Sequence, residues 1–94
     1  MKYEMLYIID KDLTDEAKEV VVDKVKKIIE SKNGIILTLD KWGMKKFAYP
    51  INYKNEGYYV LVNFEASEDV PNVLNAQMNI LDGVVRHMCI AKNK

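Results

Sequence analysis

The chain has little of several residue types on which particular classes of protein depend. Its 94 residues include one cysteine (Cys89), one histidine (His87), two prolines and four glycines. A single cysteine excludes an internal disulfide framework and fits a reducing compartment. One histidine and one cysteine leave a protein zinc site short of its usual ligands, so we expect no bound metal. The scattered glycines form no phosphate-binding loop.

Long hydrophobic runs and an excess of one charge are also missing. The apolar run from Met5 to Ile9 ends at Asp10, which is too short for a signal peptide or a membrane span. We therefore expect a cytoplasmic protein that does not enter a membrane. The chain has 14 basic and 14 acidic residues. Any nucleic-acid binding must then come from a local basic patch and not from net charge.

The length and composition predict one compact domain over residues 1–94, since 49% of the residues are hydrophobic. Alternation and helical spacing of apolar residues predict six elements. In chain order they are a strand over Tyr3–Asp10, a helix over Asp12–Lys32, a strand from Ile35 to Ile51, a strand over Tyr58–Ala66, a helix after Ser67 that ends at Asp82–Gly83, and a strand over Val84–Ala91.

Individual residues predict how these elements begin, bend and end. Thr14 and Ser67 are expected to cap the two helices, and Gly34 suits a left-handed residue after the first. Gly43 lies inside the long second strand and indicates a bulge or a bend. Asn52–Gly57 carries turn residues and predicts a hairpin loop.

The order strand, helix, strand, strand, helix, strand predicts an α+β fold, the ferredoxin-like sandwich (βαββαβ). In that fold a four-stranded antiparallel sheet carries both helices on one face. The first and third strands are central, and the other two are outer strands. One face of the sheet is therefore uncovered and is a candidate working surface.

Basic residues are concentrated in two acid-free stretches. The first stretch, from Lys41 to Lys54, has four lysines, and the second begins at Arg86 and includes Lys92. Aromatic residues interleave with the first stretch, among them Trp42 and Tyr49. This pattern favours RNA, because lysines neutralise phosphates and aromatic rings stack on unpaired bases. The alternative is a solvated outer strand whose lysines prevent aggregation.

Other functions are less well supported by the residues. An RNA-recognition motif would need its signature around Gly57, but only the glycine and one aromatic are in place. An acylphosphatase-like enzyme needs an anion cradle after the first strand, and Asp10-Lys11-Asp12 is acidic there. His87 and Cys89 share a strand face and are more simply packing residues than a catalytic pair. We expect no enzymatic activity.

Several segments together resemble a known family. They are Tyr3-Glu4, the run Asp40-Lys41-Trp42-Gly43-Met44-Lys45-Lys46-Phe47-Ala48-Tyr49-Pro50-Ile51, Gly57-Tyr58-Tyr59, Phe64-Glu65-Ala66 and Asp82-Gly83-Val84-Val85-Arg86-His87-Met88. In order and spacing the chain is similar to bacterial small-subunit ribosomal protein six. The resemblance implies the same sandwich and a structural role without a cofactor. It also implies binding to small-subunit (16S) ribosomal RNA in the platform region, as a heterodimer with small-subunit ribosomal protein eighteen.

The resemblance also suggests which residues face RNA. Carried over by position are Lys2, Lys45, Lys46, Tyr49 and Arg86. Lys54 is added from its place in the hairpin, and Lys92 from the basic C-terminal stretch. Relatives often have arginine in the basic pair, and lysine keeps the charge but loses the planar fork, so we expect contact with phosphates more than reading of bases. Trp42 is expected to be a packing residue. The alternative function is a ferredoxin-like protein-interaction or small-ligand domain without RNA binding.

Overall fold

A computed structural model describes the backbone of residues 1–51 and 54–92, and the side chains of residues 1–46 and 56–92. The elements in chain order are β1 (Lys2–Asp10), α1 (Asp15–Ser31), β2 (Ile35–Ile51), β3 (Lys54–Glu65), α2 (Val70–Ile80) and β4 (Val84–Lys92). The strands form one antiparallel sheet in the order β2-β3-β1-β4. This is the predicted ferredoxin-like sandwich, with β1 and β3 at the centre.

The core lies between the helices and one face of the sheet. On β1 the side chains of Tyr3, Met5, Tyr7 and Ile9 are buried, as their alternation predicts. They lie opposite every second residue of β3, from Phe64 to Tyr58. The helices close this face with one apolar stripe each, which for α1 is Val21, Val22, Val25 and Ile29 and for α2 is Val70, Leu74 and Met78.

Helix α1 begins three residues later than predicted. The Thr14 hydroxyl caps it by accepting a hydrogen bond from the Ala17 amide at 3.1 Å, as expected. Before the cap, the Asp12 amide donates to the Asp10 carboxylate at 2.9 Å, which folds this segment into a turn. The helix therefore starts at Asp15 and not at Asp12.

Two other predictions about helix ends were wrong. The left-handed residue after α1 is Asn33, with φ 64°, and not Gly34. Asparagine tolerates this conformation because its short polar side chain bonds locally. Ser67 does not cap α2, because its hydroxyl donates to the Asp69 carboxylate at 2.6 Å and Asp69 is the N-cap residue.

The bulge or bend predicted at Gly43 of β2 is present as a bulge. Gly43 has φ +87°, and the pairing with β3 shifts between Lys41 and Gly43. The predicted hairpin loop is too long, because β3 already begins at Lys54. Residues 52 and 53 of that loop lie outside the described part of the chain.

The face of the sheet away from the helices is uncovered, and we call it the open face. Its members follow from the register of the strands. They include Lys2, Glu4, Leu6 and Ile8 of β1, Tyr59, Leu61 and Asn63 of β3, Arg86, Met88, Ile90 and Lys92 of β4, and Thr38, Asp40 and Lys45 of β2. Among the described residues, neither helix is long and apolar enough to cross a membrane.

Candidate nucleic-acid interface

Four of the predicted RNA-facing residues, Lys2, Lys45, Arg86 and Lys92, lie at two ends of the open face. Ile8 lies between Tyr59 and Arg86 at one end, and Lys2 lies between Glu65 and Lys92 at the other. The two rows are six positions apart along β1, which is about 20 Å in an antiparallel strand. The structure therefore does not bring all the predicted basic residues into one patch.

The first end combines aromatic and basic residues, and we call it the aromatic end. It consists of Trp42, Lys45, Tyr59 and Arg86 around Ile8. The Trp42 and Tyr59 rings are stacked, with centroids 6.4 Å apart and planes at 7°. Lys45 and Trp42 line one shallow surface depression. Ion pairs between described residues involve neither Lys45 nor Arg86.

The basic pair Lys45-Lys46 is split by the alternation of the strand. Lys45 lies opposite Gly57 on the open face, and Lys46 lies opposite Glu56 and points to the other side. Both side chains are exposed. Tyr49 lies in β2 and Lys54 begins β3, but the side chains of these two predicted residues lie outside the described part.

The second end, which we call the far end, mixes both signs of charge. The Lys92 ammonium lies 3.8 Å from the Glu4 carboxylate and donates to the Asn63 side-chain oxygen at 3.4 Å. Lys2 lies opposite Glu65 of β3. Carboxylates thus accompany both lysines of the far end and lower the positive potential that it offers to a phosphate.

Lys41 belongs to the same acid-free stretch but points to the helix side of the sheet. Its ammonium donates to both carboxylate oxygens of Glu19 in α1, at 2.7 and 2.6 Å. The bulge at Gly43 explains this difference, since it changes the register between Lys41 and Lys45. Lys41 thus fastens an outer strand to a helix.

Trp42 was expected to be a packing residue, and the structure corrects this. Its side chain stands on the open face and is 46% exposed. Sequence reasoning also left Tyr59 out of the candidate site. The sequence signal that could have found Trp42 is Gly43, because a β-bulge re-aims a neighbouring side chain.

An aliphatic strip lies between the two ends of the open face, and Asp40 of β2 borders it opposite Leu61. Leu6 and Leu61 are partly exposed, and Met88 and Ile90 are 55% and 48% exposed. Contiguous apolar surface of this kind is typical of interaction sites on soluble proteins. The open face therefore presents an apolar centre between two charged ends.

His87 and Cys89 lie on the helix side of β4 and are not arranged as a nucleophilic pair. The His87 Nε2 atom is 2.8 Å from the Asn79 side-chain oxygen. Burial lowers the pKa of the His87 imidazole and raises the pKa of the Cys89 thiol. Both groups are thereby kept neutral, whereas a reactive cysteine needs the thiolate. The described residues contain no cluster of side chains suited to a metal ion.

Comparisons with known proteins agree with the resemblance noted in the sequence. A family model described as Ribosomal protein S6 matches residues 2–91. The small ribosomal subunit protein bS6 of Clostridium novyi is 42% identical over 98% of this chain and 97% of its own. That of Alkaliphilus oremlandii is 45% identical over 99% of this chain and 98% of its own.

A solved structure shows the same fold. The crystal structure of 30S ribosomal protein S6 from Thermotoga maritima superposes with a TM-score of 0.92 at 32% identity, over 97% of this chain and 86% of that one. The expected fold, family and ribosomal location, which in bacteria is cytoplasmic, are confirmed by these matches. The chain belongs to the ribosomal protein S6 family.

Proposed function

We propose that this chain binds small-subunit (16S) ribosomal RNA in the platform region, as a heterodimer with small-subunit ribosomal protein eighteen. Membership of the family supports a structural role in the ribosome, and the platform and the partner are the further steps of the proposal. The observation that carries it is the open face, on which an apolar centre is bordered by lysine and arginine at the aromatic end.

The cations at the aromatic end suit RNA phosphates. Lys45 of β2 and Arg86 of β4 lie on the same face of the sheet, with β3 and β1 between their strands. Neighbouring strands are about 4.8 Å apart, so two positive groups can follow one bent RNA backbone across the sheet. Lys46 extends this charge around the rim of β2. Lysine contacts of this kind position a protein on RNA without reading its sequence.

The aliphatic centre suits a protein partner. Met88 of β4 lies opposite Leu6 of the central strand β1, and Ile90 follows on the same face. All three side chains are partly exposed. Covering such side chains removes apolar area from water, which stabilises association by about 25 cal/mol per Å² before the costs of binding. The partner and the RNA would then occupy neighbouring parts of one face.

The test is the binding of a 16S platform fragment with and without protein eighteen over a range of salt concentrations. Around four phosphate contacts predict that the logarithm of the binding constant falls with the logarithm of salt at a slope of about −3 to −4. We expect this slope when the partner is present. A slope near zero, or no binding with the partner, contradicts the proposal.

The second candidate function is a protein-interaction or small-ligand domain that does not bind RNA. The exposed side chains of Met88 and Ile90 favour it, because apolar strands also drive self-association. Sedimentation of the purified chain separates the two. Concentration-dependent dimers that bind no RNA support this candidate, and a monomer that binds RNA with the partner supports the first.

A further inference from the structure

Trp42 is held as a flat, half-exposed surface. It is the only tryptophan in the chain, and its side chain is 46% exposed. One of its faces lies against Tyr59, with the planes at 7°. The bulge at Gly43 sets this position, because it places Trp42 between the pairs Lys41–Val60 and Gly43–Tyr59.

The base of this platform is well packed. Ile8 lies on the open face between Tyr59 and Arg86, yet its side chain is only 7% exposed. Its neighbours on the sheet therefore cover it, and the stacked rings rest on a filled layer. Rings held in this way lose little conformational freedom when a ligand binds.

The space beside the rings is open, and Lys45 borders it. A Cβ atom added at Gly43 would meet nothing within 4 Å. The depression next to the indole is shared with Lys45. The one carboxylate on this part of β2 is that of Asp40, which lies opposite Leu61 on the other side of the bulge from Lys45.

We propose that the Trp42–Tyr59 pair is a stacking platform for one unpaired RNA base, and that Lys45 binds a phosphate beside that base. The inference rests on the proposed function and names a site within it. Every base has a π-face, so stacking tolerates any sequence. The aromatic pair would bind the base of the nucleotide, and the lysine would bind its phosphate.

The residue types around the open face favour RNA over a protein at this position. The aromatic end pairs rings with cations, whereas Met88 and Ile90 give the centre an aliphatic character. A protein partner that needs apolar area finds it at the centre. The aromatic end instead combines the two features that bind a nucleotide, which are a ring for the base and positive charge for the phosphate.

The test compares Trp42→Leu and Trp42→Phe with the native chain, each bound to protein eighteen and titrated with the platform RNA. The Trp42→Leu variant removes the ring and keeps an apolar side chain, and Met44→Leu is a control at a similarly exposed position beside it. Loss of one stacked base is expected to weaken binding by about 5- to 150-fold with the salt slope unchanged. Trp42→Phe keeps a ring and is expected to lose less RNA affinity than Trp42→Leu, and Met44→Leu is expected to keep the native RNA affinity.

Fluorescence gives a second readout, since Trp42 is the only tryptophan. Its emission in the complex is the native spectrum minus that of the Trp42→Phe complex, and RNA is expected to quench it. The platform is overturned if Trp42→Leu binds RNA as tightly as the native chain and RNA does not quench the Trp42 emission. If RNA still binds with its steep salt dependence in that case, the proposed function stands. A change of emission on adding the partner alone shows a protein contact and also overturns it. If RNA does not bind even with the partner, both proposals fail.

Discussion

Lys41 and Glu19 form a two-pronged contact that joins β2 to α1, with the ammonium 2.7 and 2.6 Å from the two carboxylate oxygens. Lys45, four residues further along the same strand, lies on the opposite face of the sheet. Two lysines of one acid-free stretch therefore have different roles, one within the fold and one on the open face.

The difference between these lysines predicts unequal effects of the same substitution. Lys41→Ala is expected to leave affinity for platform RNA almost unchanged, and to lower the free energy of unfolding by less than about 1 kcal/mol because the pair is partly exposed. Lys45→Ala is expected to weaken RNA binding and to leave stability unchanged. Equal losses of RNA affinity in the two variants would contradict this assignment.

The hydroxyl of Tyr7 is buried in the core, and no described residue forms a hydrogen bond with it. Burial raises the pKa of this phenol, which therefore remains neutral at physiological pH. Tyr7→Phe removes an unpaired polar atom and keeps the ring, so we expect the free energy of unfolding to stay the same or rise by about 1 kcal/mol. Denaturant unfolding measures it.

The matched control is Tyr3→Phe, because the Tyr3 hydroxyl donates to the Met1 sulfur at 3.7 Å. The Tyr3→Phe variant is expected to show no increase in the free energy of unfolding. A loss of more than about 1 kcal/mol in Tyr7→Phe would show that the Tyr7 hydroxyl is hydrogen-bonded in solution.

His87 is expected to make the fold less stable as the pH falls. Burial lowers its pKa from the ordinary value of 6.5, so the unfolded chain binds a proton more readily than the folded one. The stability from neutral His87 is fully present above pH 6.5 and is lost as the pH falls through the folded pKa. His87→Gln should flatten the pH dependence below about pH 6.5. Identical pH profiles for the two proteins would refute this role.

Gly43 should resist substitution for reasons of backbone conformation alone. Its φ is +87°, and an added Cβ would contact nothing within 4 Å. Gly43→Ala is therefore expected to cost about 1–2 kcal/mol, the penalty of a left-handed alanine, and Gly43→Asn less. Chemical denaturation checks both variants. An alanine variant as stable as the native chain would mean that the bulge relaxes.

The sequence predicted the fold well because its signals are local and repeated. Alternation in Tyr3–Ile9 and helical spacing in Val21–Ile29 each place one face in the core, and the order of elements leaves few topologies. The helix ends were predicted less well. Asn33, and not Gly34, adopts the left-handed conformation, and the Ser67 hydroxyl bonds to Asp69 and not to a backbone amide of α2. The alternatives at a helix end differ little in free energy, so the surrounding side chains decide between them.

The site was predicted less completely than the fold. The acid-free stretch identified Lys45 and Lys46, but alternation through a bulge decides which lysine faces the open side, and that requires the register of β2 on β3. The stacking of Trp42 on Tyr59 joins residues of two strands, and neither residue signals the other in the sequence. Likewise, only the pairing of the strands shows that Lys2 and Lys92 lie far from the aromatic end.

The most direct test of the account is the salt dependence of binding for the double variant Lys45→Ala, Lys46→Ala. The matched control is Lys24→Ala, Lys26→Ala, which removes the same charge from exposed positions of α1. With protein eighteen and the platform RNA, losing two phosphate contacts is expected to reduce the steepness of the log–log slope by about 1.5 to 2, and the control should keep the native slope. A native slope in the Lys45–Lys46 variant, or an equal change in both variants, would contradict the claim that Lys45 and Lys46 of β2 bind RNA phosphates.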